Sequence, residues 1–242
     1  MRPGTDQFNS LHEKLIARWQ AMRAHLAIQP VVYFTCLGTS VEDRCNLAYL
    51  MNTALQAGIE TREIAIDQIG WNGERSRFVD LEERPLFALC KLYPWEWMMR
   101  ESFGAHLLRA PLCIFEPPWK AILSNKAILP LLWEMFPDHT NLLPAYFEDG
   151  RIAGPSIMQP LLSRDGANIM MQKDNVTNSS GDQGYGAEGY VYQAYDELPD
   201  FGGGHMVIGA WMIGEEPAGI GIREDVNPIT SNMSRFVLHY FE

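Results

Sequence analysis

VVYFTCLGTSVEDRCNLAYLMNTALQAGIETREIAI (31–66) is the stretch whose reading decides the fold. It begins after Pro30 with VVYFTCL (31–37), a buried-strand run, and passes Thr39 or Ser40 as a helix cap. A helical stretch then continues to about Ala57, breaks at Gly58 and returns as TREIAI (61–66). A run apolar on both faces suits a strand covered on both sides, and a hydroxyl residue before a periodic stretch satisfies the free N–H groups of a helix start. Strand, helix and strand at this spacing imply a parallel pair joined by a right-handed crossover.

Working outward, Leu11, Leu15, Ile16, Trp19, Met22 and Leu26 recur at three- and four-residue spacings and predict a helix over 10–27. Downstream, RFVDL and RPLFALCKLY read as two strands paired around a polar turn, followed by helical spacing from Trp95 to Leu108. LCIFEPPW is a strand running into a Pro-Pro stop, and Ser124 or Asn125 caps a further helix to Phe136. From about residue 150 the character changes. Fourteen of the twenty glycines lie at Gly150 or beyond, and SIMQPLL, NIMM, GYVYQAY, MVIGAWMI and AGIGI are short β-type runs. The fold class expected is α/β or α+β, a mixed sheet first and an antiparallel meander second.

A chain of 242 residues with 47% hydrophobic content buries a sizeable core without needing disulfides or a structural metal. Nineteen basic against thirty acidic residues give a net charge of −11, which sets nucleic acid aside as the main partner. The four cysteines, Cys36, Cys45, Cys90 and Cys113, form no C-x-x-C pair and read as reduced, mostly buried thiols of a cytoplasmic protein. MRPGTDQFNSLHEK has no apolar core of a secretory signal, and no apolar run is long enough to span a bilayer. The sequons at Asn175, Asn178 and Asn232 therefore carry no weight.

Gly184-Tyr185-Gly186-Ala187-Glu188-Gly189 has the letters of a dinucleotide fingerprint, but a polar tract precedes it and YVYQAY follows. The fingerprint needs a strand before and a helix after, so the stretch 173–189 reads instead as a mobile surface loop or lid. His12-Glu13 lacks the second histidine of a zinc protease helix, and the six histidines are scattered. Ser163-Arg164-Asp165-Gly166-Ala167-Asn168 lies between two β runs, where small residues could turn backbone N–H groups toward a phosphate with Arg164 adding charge; an ordinary hairpin turn is the alternative. In Gly219-Ile220-Gly221-Ile222-Arg223-Glu224-Asp225 the strand glycines suit close approach of a ligand or another backbone, and a solvated turn is again the alternative. Trp119-Lys120, after Glu116-Pro117-Pro118, places a cation between a strand end and a helix.

Together DQFNSLHEKL (6–15), EPPWKAILSNKAILPLLWEMFP (116–137), PLLSRDGANI (160–169), EGYVYQAY (188–195) and IGAWMIGEEPAGIGIREDVNPIT (208–230) resemble the glutathionylspermidine synthase family of ATP-grasp acid–amine ligases, in its shorter branch. The resemblance implies a pre-ATP-grasp-like βαβ region over 1–110 and an ATP-grasp-type nucleotide-binding region over 111–242. It also implies the reaction: ATP phosphorylates a carboxylate, an amine attacks the acyl phosphate, and an amide forms from a peptide-type acid and a polyamine-like amine. By position, Lys120, Gln159, Gly166, Gln193, Pro228, Ile229 and Thr230 match ATP-contacting residues. Arg223 resembles an arginine that swings toward the phosphates, and Glu13 falls on the peptide-substrate side.

Two departures stand out. Gln159 occupies a position where the family carries lysine, and losing one charge-assisted contact costs about 1.5–3 kcal/mol. The R-x-D and E-x-N motifs that supply the magnesium ligands lie upstream of the DQFNSLHE segment in the family. The chain is therefore expected to be the C-terminal part of a longer ligase, with no Mg2+ ligands of its own and Glu224 and Asp225 as weak substitutes. A catalytically inactive binding or interaction module is the rival reading, and completion of the site in trans by another polypeptide is a third.

Overall fold

The computed structural model describes residues 4–26, 31–173, 176–179, 184–231 and 233–242. Pro30, Asn175 and Asn232 lie outside the described residues. The chain divides into two compact units, one of Asn9–Ala121 with Trp211–Gly219, the other of Met1–Phe8 with Ile122–Ala210 and Ile220–Glu242. The architecture is mixed α/β, with one parallel sheet and several antiparallel ones.

The first unit is built on the stretch quoted above. Strand β1 (Val31–Cys36) is buried almost throughout, and β2 (Glu60–Ala65) lies parallel to it. The crossover is α2 (Val41–Gln56), whose Ser40 hydroxyl accepts from the Asp43 N–H at 3.2 Å. Helix α1 (Leu11–Arg23) ends in a 3-10 turn, Ala24–Leu26. Its Trp19 packs with Val32, Phe34 and Leu47 in one core and donates its indole N–H to Thr53 Oγ1 at 3.2 Å. Full burial of side chains such as Phe34 and Leu47 stabilises by roughly 1.5–3 kcal/mol each.

The expected strand pair is not formed as read. β3 (Gly70–Asn72) pairs with β4 (Arg77–Val79), whereas β5 (Ala88–Leu92) joins the parallel sheet beside β1. The two segments meet only at their near ends, through the bridge of Val79 to Pro85 and the bonds from the Leu86 N–H to the Phe78 carbonyl and from the Asp80 N–H to the Arg84 carbonyl. Burial explains the difference: Ala88–Lys91 are all buried, which an outlying hairpin could not provide. The helix expected over Trp95–Leu108 is also shorter. α3 (Trp95–Arg100) stops, and a 3-10 turn, Gly104–His106, replaces its continuation. A Cβ on Gly104 would stand 2.6 Å from the Met98 carbonyl oxygen, so only glycine allows this tight return. β6 (Cys113–Phe115) completes the sheet order β2-β1-β5-β6.

In the second unit α4 (Ala121–Ser124, its first residue in the first unit) precedes α5 (Ile128–Met135). The expected Asn125 cap survives in part, since its Oδ1 accepts from the Ala127 N–H at 2.9 Å. β7 (Ala145–Tyr146), β8 (Ser156–Pro160), β9 (Met170–Lys173), β10 (Val176–Ser179) and β11 (Tyr190–Ala194) form a sheet in the order β10-β9-β8-β11-β7. β10 corrects the loop expected over 173–189, because Val176–Ser179 pair antiparallel with β9; residues 174, 175 and 180–183 of that stretch lie outside the described residues. β12 (His205–Ile213) lies beside β13 (Glu216–Asp225), which pairs antiparallel with β14 (Arg235–Val237).

The glycine strand does admit close backbone. Gly219 bridges to Asn9, and the Ser10 N–H donates to the Ala218 carbonyl at 2.8 Å. Two cysteines, Cys36 and Cys90, are buried, but Cys45 and Cys113 are exposed, so the thiols are not mostly buried. Among the described residues no helix is long and apolar enough to cross a membrane.

Candidate functional site

The second unit gathers most of the residues singled out above around one connection. β8 and β9 are antiparallel neighbours, and 161–169 links them. Within this link Asp165, Gly166 and Asn168 all have positive φ, and the Ala167 N–H donates to the Arg164 carbonyl at 2.8 Å, which makes the link a tight turn. A Cβ at Gly166 would stand 2.3 Å from the Thr230 carbonyl oxygen and 3.0 Å from Ile229 Cγ2. Gly166 is thus required for the hairpin to approach 228–230. The two segments bound a cleft of about 250 Å³, lined by Ile157, Gly166, Ile169, Pro228, Ile229 and Thr230 among others.

Beside the cleft, Gln159 and Gln193 meet. Gln159 Nε2 donates to Gln193 Oε1 at 3.1 Å, and strand register puts both on the face that carries Ile157. Arg223 of β13 reaches the same connection: its Nη1 lies 3.5 Å from Asp165 Oδ1, and its guanidinium stands over the Phe236 ring at 5.0 Å.

Sequence reasoning missed one cation here. Lys126 Nζ donates to the Ser163 carbonyl at 2.5 Å and to Ser163 Oγ at 3.1 Å, while its N–H donates to the Leu161 carbonyl. Burial, and then the neighbouring Arg164 charge, push the Lys126 ammonium below the usual lysine range. The signal was the cation in SNKAIL just before a helix; its burial depends on a partner 37 residues away, which the local sequence does not reveal.

Lys120 and Glu13 belong to the first unit. Lys120 ends the 3-10 turn Pro118–Lys120 and is paired with Glu116 Oε1 at 2.8 Å. Glu13 is exposed in the first turn of α1, next to His12, whose Nδ1 lies 3.2 Å from the Tyr49 hydroxyl.

The carboxylates of β13 do not fit a magnesium ion. Glu224 Oε2 accepts from Arg235 Nη2 at 2.6 Å, and Asp225 accepts from the Ser234 hydroxyl at 2.6 Å and from the Asn227 N–H at 3.0 Å. Those bonds, the Ser234 hydroxyl first, hold the Asp225 carboxyl below the usual carboxylate range. Among the described residues no group of three or more acidic, His or Cys side chains could hold a metal ion.

The first unit offers a second polar centre that the sequence did not announce. Its chain leaves β1 for β2 on one side and meets β5 on the other, so the carboxyl ends of β1 and β5 form a switch point of the parallel sheet, where ligands of such folds bind. There Thr35 Oγ1 and Trp95 Nε1 are buried without a hydrogen-bond partner. Thr35 stands opposite Lys91 in register, and the buried Lys91 ammonium donates to the Tyr93 carbonyl at 2.7 Å and lies 4.3 Å from the Trp95 ring centroid. Orphaned buried polar atoms beside a cation mark a place where a polar ligand or water is needed.

Comparison with known proteins follows the same lines. A family model described as glutathionylspermidine synthase pre-ATP-grasp matches residues 1–242. A Haemophilus influenzae protein bearing an acid–amine ligase name is 39% identical over 245 residues, covering 98% of this chain and 62% of that protein. Trypanothione synthetase of Crithidia fasciculata is 29% identical over 81% of this chain and 34% of its own length. The bifunctional glutathionylspermidine synthetase/amidase of Escherichia coli is 27% identical, over 92% and 39% respectively. The chain thus spans less than two thirds of the length of these relatives. It belongs to the glutathionylspermidine synthase pre-ATP-grasp family.

Proposed function

We propose that this chain is the nucleotide-holding and acid-holding part of an ATP-dependent acid–amine ligase. In the proposed reaction a substrate carboxylate oxygen takes the γ-phosphoryl group of ATP, releasing ADP. An amine nitrogen then attacks the acyl carbon, phosphate leaves, and an amide forms after loss of the amine proton. The observation that carries this reading is the meeting of Gly166 with 228–230 in one cleft, with Lys126, Arg164 and Arg223 at the connection that bounds it. Cations and backbone N–H groups fixed before reaction stabilise a transferring phosphoryl group without reorganising at the moment of transfer.

In this reading Gly166, Pro228, Ile229 and Thr230 form the walls around the nucleotide. Gln159 and Gln193 present amides to it, and Lys126 and Arg223 neutralise its phosphates. Thr35, Lys91 and Trp95 at the switch point suit the acid substrate, because all three can donate hydrogen bonds. Glu224 and Asp225 are engaged by Arg235, Ser234 and Asn227 and take no part as Mg2+ ligands in this reading.

Gln159 favours a second reading. A buried neutral amide already satisfied by Gln193 lowers the demand for an anion at that point, as in a module that has lost nucleotide binding. Titration calorimetry with Mg-ATP and Mg-ADP separates the two. Saturable binding, weakened at least about tenfold by Lys126→Ala through loss of a charge-assisted contact, supports the ligase reading. Absence of heat at millimolar nucleotide supports the module. ADP release on mixing with a polypeptide that carries the R-x-D and E-x-N motifs tests completion of the site in trans.

A further inference from the structure

Strand β12 is an outer strand of the sheet β12-β13-β14, and nothing in its sequence blunts that edge. Its first residue, His205, bridges to Asp200; from Met206 onward no strand among the described residues lies beside it except β13. Met206-Val207-Ile208-Gly209-Ala210-Trp211-Met212 contains no charge and no proline, the devices by which an edge strand commonly keeps another strand away. The same residues are open to solvent on both faces. Val207 and Trp211 point to one side, at 36% and 54% exposure, and Ile208 and Met212 to the other, at 60% and 53%.

This exposure restricts what can cover the strand. A helix or a second sheet covers one face and leaves the other wet. A strand added edge to edge takes up the free N–H and C=O groups and gives side chains on both faces a cross-strand neighbour at once. Such a strand must itself be uncharged, extended, free at one edge and apolar on both faces. β12 of a second copy meets all of these conditions. With a charge of −11 on each chain, two copies repel one another over most of their surface, and an uncharged strand is where they can approach.

The fit is two-fold as well. An antiparallel pair about Gly209, the middle of the strand, sets Val207 opposite Trp211 on one face, and Ile208 opposite Ala210 with Met206 opposite Met212 on the other. No polar side chain is brought into the seam, which runs about 24 Å at roughly 3.4 Å per residue over Met206–Met212. We propose that two copies of this chain associate through β12, joining their sheets into one with β12 against β12 at its centre. Because β12 has one free edge, the association stops at two.

Sedimentation equilibrium over about a hundredfold range of protein concentration tests this. The mass is expected to rise to twice the 27.5 kDa of the chain, and to do so at lower concentration as salt screens the repulsion between copies. Ile208→Lys places a charge on the seam at an exposed position and is expected to hold the mass at one chain. Leu238→Lys, at a residue 88% exposed outside β12, is expected to leave association unchanged. A Cβ on Gly209 meets nothing closer than the Gly221 carbonyl oxygen at 3.8 Å, so Gly209→Cys fits the strand. On oxidation it is expected to link two copies through position 209 in higher yield than the unsubstituted chain, whose exposed Cys45 and Cys113 set the background. Far-UV circular dichroism checks that the variants fold. A single-chain mass throughout, a mass that climbs past two chains, association weakened by salt, a doubled mass that survives Ile208→Lys or is lost in Leu238→Lys, or linkage at position 209 no higher than background would each overturn the proposal. So would a single-chain mass that rises only with an added R-x-D and E-x-N polypeptide and no longer does so in Ile208→Lys, an outcome that gives β12 to that polypeptide.

Discussion

Asp80 shows how much one buried group can fix. Burial alone would raise its carboxyl, but hydrogen bonds from the Arg84 side chain and N–H, from Tyr33 and from the Glu82 N–H outweigh it and hold the group at about 2 instead of 3.8. A carboxyl with a depressed folded-state value stabilises fully above its unfolded value and loses that contribution as pH falls toward the folded one. The gap from 3.8 to about 2 corresponds to about 2 kcal/mol, lost across that same window. Asp80→Asn is expected to flatten this part of the acid limb by about that amount, measured as urea unfolding free energy against pH. An unchanged acid limb in the variant would remove Asp80 from the acid response. At neutral pH the same substitution costs about 1.5–3 kcal/mol, because an amide has one acceptor oxygen and no charge for donors that the carboxylate receives on both oxygens.

At the scale of elements, Ser40 is the clearest case of sequence writing structure. Its hydroxyl caps α2 as the local pattern requires, and Ser40→Ala should cost about 1 kcal/mol, read as a lower urea midpoint with the slope unchanged. A midpoint that did not move would mean that water replaces the cap without loss. The β1-α2-β2 unit was legible because each of its signals is local: a buried run, a cap, and a glycine with φ of +80° at Gly58. The partner of β5 was not legible. Continuous burial says that ALCKL is covered on both faces, but not which strand lies beside it, and the adjacent RFVDL offered a nearer candidate. The hairpin at Ser163–Asn168 was readable as a turn; that it closes on Thr230 and receives Lys126 depends on contacts far apart in sequence. The switch-point residues Thr35, Lys91 and Trp95 left no motif, since their significance comes only from the order of strands.

Over the whole molecule, a net charge of −11 sets a field that repels nucleotides and attracts cationic amines. The proposed nucleotide site requires a local reversal of sign, and Lys126, Arg164 and Arg223 gather around one connection. Family membership, a cleft approached by Gly166 and a switch point with unpaired donors are the findings from which the proposed ligase reading is argued. The most direct measurement is hydrogen exchange of the chain with and without ADP, read by mass spectrometry. Amides in 161–169 and 226–231 are expected to gain protection, with the gain lost in Lys126→Ala. Nucleotide protection confined to other segments, or none in either of these two, would contradict a phosphate cradle at Gly166.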